Sequence, residues 1–227
     1  DVHMSPDAGG ANLTCSACHK TDAAKPHLVG GRGIDLRQTE AATPKCTTCH
    51  GTNPHGSTYT PTSRTGYPSD AYIRDRHGNE GVGCMTCHID AYGKGGATEM
   101  SRDWLTPVWN AAFCNGQGGF VGHEVKQSNV LPEYVLFNGT SYVYSIGDQA
   151  VDLNGNSIID MAKANGKLFD GVTKVVPIKR HFSVMPVNNA TNEIIPPQIN
   201  WMFMTGYFDE AVQRGMQDFG YTGPYTM

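Results

Sequence analysis

The chain has no long apolar run. No segment approaches the roughly 18 consecutive apolar residues that a membrane-spanning helix needs, so no membrane span is expected. Positive charge is not in excess either: 17 Lys and Arg stand against 21 Asp and Glu, for a net charge of −4. So mild and mixed a balance offers no basic face to nucleic acid. The first residues, Asp1-Val2-His3-Met4, are polar and lack a signal-peptide pattern. The segment is therefore expected to be processed, or cut from a longer precursor. Apolar sequence is also scarce in the first hundred residues, which leaves that part little from which to build a core of its own.

What the chain does hold is glycine, proline, cysteine and histidine. Its 27 glycines and 13 prolines are many for a helical protein, and they point to much irregular backbone. The 227 residues suffice for one or two domains. Six of the seven cysteines fall in C-x-x-C pairs, and each pair is followed at once by histidine: Cys15/Cys18/His19, Cys46/Cys49/His50 and Cys84/Cys87/His88. C-x-x-C-H is the attachment signal for c-type haem. Two thiols separated by two residues reach the two vinyl groups on one edge of a porphyrin, and the next residue turns its imidazole under the ring to bind iron. Random placement would give about 0.008 copies in a chain of this composition, so three are not accidental. Zinc sites do not require histidine directly after the second cysteine of every pair, and a thioredoxin-like redox pair would occur once, beside a βαβ pattern. Three covalent haems c are expected. Because haem of this type is attached after export, the expected location is the periplasm or the extracellular surface.

Each iron needs a second axial ligand or keeps an open site. Histidine gives a low-potential electron-transfer haem, methionine raises the potential, and a vacancy permits catalysis. The spare histidines are His3, His27, His55, His77, His123 and His181. His27, His55 and His77 flank the motifs in glycine-rich, extended sequence and are the first candidates. His55 leaves the proximal side of its own haem, and four intervening residues hardly wrap to the opposite face, so a neighbouring haem is its better target. His3, His123 and His181 are a surplus, and one or more of them is expected to face a haem held by another chain or by a missing segment. Met202 and Met204, in Trp-Met-Phe-Met, read as core. Cys114, without a partner, reads as a buried free thiol, with thiolate ligation to iron as the alternative.

Residues 1–100 are expected to form a triple haem-binding region with short helices at each motif and the porphyrins as its core. Residues 101–227 hold no motif and read as a small α+β part packing on the haems. Tyr134–Phe137, then Asn138-Gly139, then Thr140–Tyr144 predicts a hairpin. Phe208 to Phe219 predicts a helix stopped by Gly220, with Phe208, Ala211, Val212, Met216 and Phe219 near one face. Asp152-Leu-Asn154-Gly-Asn156 starts like a calcium loop, but Ser157 and Lys163 stand where glycine and glutamate belong. A polar turn is the better reading, and calcium is not expected.

Several stretches resemble, in the same order, the C-terminal half of octahaem tetrathionate reductase-like cytochromes. They are Asp1-Val2-His3 before Cys15-Ser-Ala-Cys18-His19, then His27-Leu-Val-Gly-Gly-Arg-Gly33, then Cys46-Thr-Thr-Cys49-His50 with Pro54-His55. His77 before Gly83-Cys84-Met-Thr-Cys87-His88-Ile89 follows, then Arg102-Asp103-Trp104, Pro132-Glu-Tyr134 with Phe137-Asn-Gly139, and Pro177-Ile-Lys-Arg-His181. The resemblance implies a mostly irregular multihaem cytochrome c. The family carries eight haems, and its catalytic haem, with a lysine ligand, should lie in a portion absent here, so reductase activity does not carry over. The resemblance thus implies a fragment, one subunit or a shortened relative.

Electron transfer through closely packed, mainly bis-histidine haems is the leading expectation, as a carrier, a module of a larger complex or a unit of an extracellular cytochrome assembly. Expected partners are redox proteins, and other copies or another multihaem chain sharing haem ligands. A haem-dependent reductase of a small sulfur or nitrogen oxyanion is the alternative, and a binding role for residues 101–227 is a third.

Overall fold

The structure, a computed structural model, describes residues 3–6, 10–18, 49–50 and 81–227. Compactness divides the chain differently from the motif count. One unit comprises Asp1–Ala91, Leu131–Val143 and Ala162–Ile178; the other comprises Tyr92–Val130, Tyr144–Met161 and Lys179–Met227. The motif-bearing segment is short of apolar residues, and strands from the later sequence supply its unit with a sheet.

In that first unit, β1 (Gly81–Val82), β4 (Glu133–Phe137) and β7 (Lys174–Ile178) form a three-stranded sheet in the order β1-β7-β4. β7 takes β1 in parallel, with Val82 opposite Val175, and β4 in antiparallel, with Val135 opposite Val176. Phe137 and Val176 are buried, with Val135 and Ala164 packed against them. β5 (Ser141–Val143) pairs with β6 (Ala162–Ala164). Among its described residues the unit also has the short helices α1 (Cys15–Cys18) and α2 (Cys84–His88).

The expected hairpin is not formed. Both strands exist, but β4 pairs with β7 and β5 with β6. A two-residue type I′ turn needs positive φ at both central residues. Here Gly139 has φ 93°, whereas Asn138 is not among the residues with positive φ. Asn138 instead accepts hydrogen bonds on Oδ1 from the Thr140 amide and hydroxyl, at 3.0 and 2.8 Å. Its own N–H goes to the Asn165 carbonyl. The turn therefore hands the chain from one sheet to another.

In the second unit, the long strand β2 (Thr98–Asn110) pairs antiparallel with β3 (Gly119–Gln127) and, at Ser101 and Arg102, parallel with β8 (Phe182–Ser183). The β2–β3 register shifts between Asp103 and Val108. Asp103 secures that excursion by accepting from the Leu105 amide at 2.8 Å and from the Thr106 hydroxyl. These contacts, the Thr106 hydroxyl first, lower the Asp103 pKa. Gly122 is needed opposite, because a Cβ there would meet Arg102 Cγ at 2.8 Å and Trp104 Cε3 at 2.9 Å.

Against this sheet the core gathers around α3 (Ile199–Thr205) and α4 (Phe208–Phe219). Ile195, Met202, Phe208, Ala211, Val212 and Met216 are buried together, with Trp104, Phe120, Trp201 and Phe203 packed on them. The α4 bounds and its stop agree with the apolar periodicity: Gly220 takes φ 70°, and its N–H closes the last turn on Gln217 and Met216. Phe219, expected on the buried face, is exposed at the helix end. Of the two methionines expected in the core, Met202 is fully buried while Met204 is 69% exposed. Two residues apart on a helix is about 200°, so one face cannot take both. A last ribbon pairs β9 (Val187–Asn188) with β10 (Tyr225–Thr226).

Candidate haem-binding site

The third motif is the most completely described. Its five residues, Cys-Met-Thr-Cys-His, form α2 itself. One helical turn places residues three and four apart on the same side, which is the arrangement that lets Cys84, Cys87 and His88 serve one porphyrin edge and one iron. The turn is held on β7. Gly83, in extended conformation before the helix, donates its N–H to the Val175 carbonyl at 2.8 Å. Thr86, between the two cysteines, donates its hydroxyl to that same carbonyl at 2.7 Å. A Cβ on Gly83 would lie 3.1 Å from Val176 Cγ1 and 3.2 Å from Val175 O. The helix start is thus pressed against the sheet, with Thr86 and Gly83 as the fixing points. Thr86 carries no signal in the sequence, because its partner lies 89 residues on.

At the first motif, Cys15–Cys18 is likewise one helical turn. The chain before it folds back on the N-terminal residues: the Leu13 N–H reaches the His3 carbonyl at 2.8 Å and the Asn12 N–H reaches that of Ser5 at 3.2 Å. At the second motif, Cys49 and His50 are helical and exposed. The His3 and His50 rings lie 6.0 Å apart between centroids, with their planes at 68°. Cys46, His19, His27, His55 and His77 lie outside the described residues.

The other two spare histidines sit in the second unit. His123, on β3, is exposed and stands opposite Asp103. His181 is exposed and places Nε2 3.1 Å from Glu99 Oε1. Glu99 is itself clamped by Arg102, whose Nε and Nη2 each donate at 2.6 Å, and Arg102 also reaches Glu124. The guanidinium, with a smaller contribution from His181, holds the Glu99 carboxyl down at about 2. Residue spacing does not reveal this cluster, since Glu99 lies 82 positions from His181.

Cys114 departs from its expected burial. The thiol is exposed, because Cys114 and Asn115 take left-handed backbone with φ 52° and 57°. Phe113 turns inward instead and packs edge-on against Phe203, centroids 4.9 Å apart. Asp152 folds its loop into a hydrogen-bonded turn, accepting from the amides of Asn154, Gly155 and Ser157.

The donors present suit haem c. Cys49, Cys84 and Cys87 are unbridged thiols, so they remain available for thioether bonds. Among the described residues no group of three or more His, Cys, Asp or Glu side chains gathers to chelate a bare ion. A haem iron needs no such group, since the porphyrin supplies four nitrogens and the protein only the axial ligands.

The model of the family described as "Cytochrome c bacterial" matches residues 110–226, just over half of the chain. The chain belongs to the bacterial cytochrome c family. That match covers the half without any C-x-x-C-H, so it is independent of the motif count. Among solved structures, octaheme cytochrome c from Shewanella oneidensis is similar to this cytochrome with a TM-score of 0.62 and 25% identity, over 100% of this chain and 50% of that one. The cytochrome thus spans half the length of the octahaem protein it resembles. No curated protein matches it in sequence. It is a multihaem c-type cytochrome, with covalently bound haem c and a haem-based redox role. The mixed helices and small sheets agree with the expected α+β character. Among the described residues no helix is long and apolar enough to cross a membrane.

Proposed function

We propose that this cytochrome is an electron-transfer unit holding three haems c, exported to the periplasm or the cell surface. Cys15 and Cys18, Cys46 and Cys49, and Cys84 and Cys87 provide the thioethers. His19, His50 and His88 are the proximal ligands, and His27, His55 and His77 are candidates for the distal positions. The observation that carries the reading is the threefold C-x-x-C-H pattern in a chain whose other half independently matches a cytochrome c family. Haem supplies the one-electron chemistry. The protein's part is to fix each ring by two thioethers and to tune the iron through its axial ligands and burial. With histidines in excess, each haem is low-spin and of low potential, well below Met-ligated cytochromes. Redox proteins, further copies or another multihaem chain are its partners. Mass measurement of the denatured holoprotein tests the haem count, with three haem masses per chain expected. Electron-paramagnetic resonance and potentiometry test the transfer role. A high-spin haem in the resting protein would shift the assignment to a reductase of a small sulfur or nitrogen oxyanion.

A further inference from the structure

We infer that His3 is the distal ligand of the haem attached at the second motif, so that the chain leading into the first haem helix closes the coordination of the second haem. The assignment rests on the second motif carrying a haem.

The second haem needs a ligand from elsewhere. His50 follows Cys49 directly and binds on the proximal side, and His55 is too near in sequence to come round the ring. Among the described residues, His3 is the spare histidine that lies beside His50, with ring centroids 6.0 Å apart. Two imidazoles trans across one metal, each nitrogen at about 2.0–2.1 Å as for zinc and each centroid about 1 Å further out, are separated by about 6.1 Å. The observed 6.0 Å matches the separation that an iron between the two rings requires. A simple edge-to-face contact also falls in this range, but both histidines are exposed, and a contact between two solvated imidazoles buries little.

His3 is also held in place without the haem. Its carbonyl accepts the Leu13 N–H at 2.8 Å, two residues before Cys15, and the Ser5 carbonyl accepts from Asn12. Gly10 permits the fold-back, because a Cβ there would lie 2.1 Å from the Ser5 oxygen. One loop thus carries the first attachment helix at one end and the second haem's ligand at the other, and it ties the two haems into one electron-transfer pair.

The 68° between the ring planes adds a spectroscopic signature. Strongly crossed axial imidazoles leave the two iron d orbitals of π symmetry nearly equal in energy. This raises the largest g value above that of a haem with parallel rings.

The test uses the holoproteins of wild type, His3→Ala and His3→Met. In His3→Ala one haem should turn high-spin, the reduced protein should bind one more carbon monoxide per chain than wild type, and added imidazole should restore the low-spin signal. In His3→Met one haem should gain a sulfur-to-iron charge-transfer band and a higher potential. In both variants one high-g signal should vanish. Loss of the second haem from the Ala variant alone, with the band present in the Met variant, supports the assignment as well. Unchanged carbon monoxide binding and spectra in His3→Ala, or loss of that haem from both variants, would overturn it. Denatured masses separate the failures: wild type without three haems defeats the haem count itself, whereas three retained haems with unaltered ligation defeat only the role of His3.

Discussion

Replacing Thr86 by valine should loosen the third attachment helix from its sheet. The substitution keeps the branched shape and removes only the hydroxyl, which donates to the Val175 carbonyl at 2.7 Å. A hydrogen bond of this kind contributes about 0.5–1.5 kcal/mol net, and an orphaned buried partner would raise the loss to about 1–3 kcal/mol. The carbonyl is not orphaned here, since the Gly83 N–H still reaches it at 2.8 Å. The expected loss is therefore about 1 kcal/mol, or roughly fivefold in the equilibrium for local opening. A global melt is the wrong assay, because the two compact units and the covalent haems need not unfold together. Native-state hydrogen exchange of peptides covering residues 81–89 and 174–178 reads the opening directly. Both peptides should lose protection together by about that factor, while peptides from α4 stay unchanged. Unaltered exchange at β7, with or without a change in the motif peptide, would refute the idea that Thr86 couples the helix to the strand.

In α4, Gly215→Ala should destabilise the second unit. The new Cβ would meet the Pro196 carbonyl oxygen at 2.1 Å, and overpacking costs of about 1–3 kcal/mol outweigh the gain of roughly 1 kcal/mol in helix propensity; an unchanged denaturant midpoint by circular dichroism would contradict this. For Glu99, whose carboxyl falls from 4.5 to about 2 in the folded state, the clamp contributes stability fully above pH 4.5 and loses it as the pH falls towards 2. Glu99→Gln should therefore flatten this part of the stability profile, and equal profiles for the two proteins would remove the clamp from the account. Cys114 is the exposed thiol that no haem motif claims, so a thiol reagent should add once to the native holoprotein, at Cys114; additions at the motif cysteines would show incomplete haem attachment.

Wherever chemistry depends on near neighbours in sequence, the residues alone determined the outcome. The C-x-x-C-H spacing is a property of one helical turn, so it identifies haem c before any fold is known. Likewise, α4 and its glycine stop follow from a 3.6-residue periodicity and a left-handed cap. Partner choice between distant segments is another matter. Asn138-Gly139 marks a turn correctly, yet whether β4 pairs with β5 or with β7 depends on strand competition across some forty residues and on the φ of Asn138. The periodicity of Trp-Met-Phe-Met marks a buried element, but only the direction of α3 decides that Met202 enters the core and Met204 does not. Cys114 is apolar enough for burial, and a left-handed backbone exposes it. The anchoring of the third motif through Thr86, the meeting of His3 with His50, and the clamp of Glu99 on His181 each join residues 47 to 89 positions apart. Contacts of that separation are set by how the chain folds back on itself, a tertiary decision that no local pattern encodes.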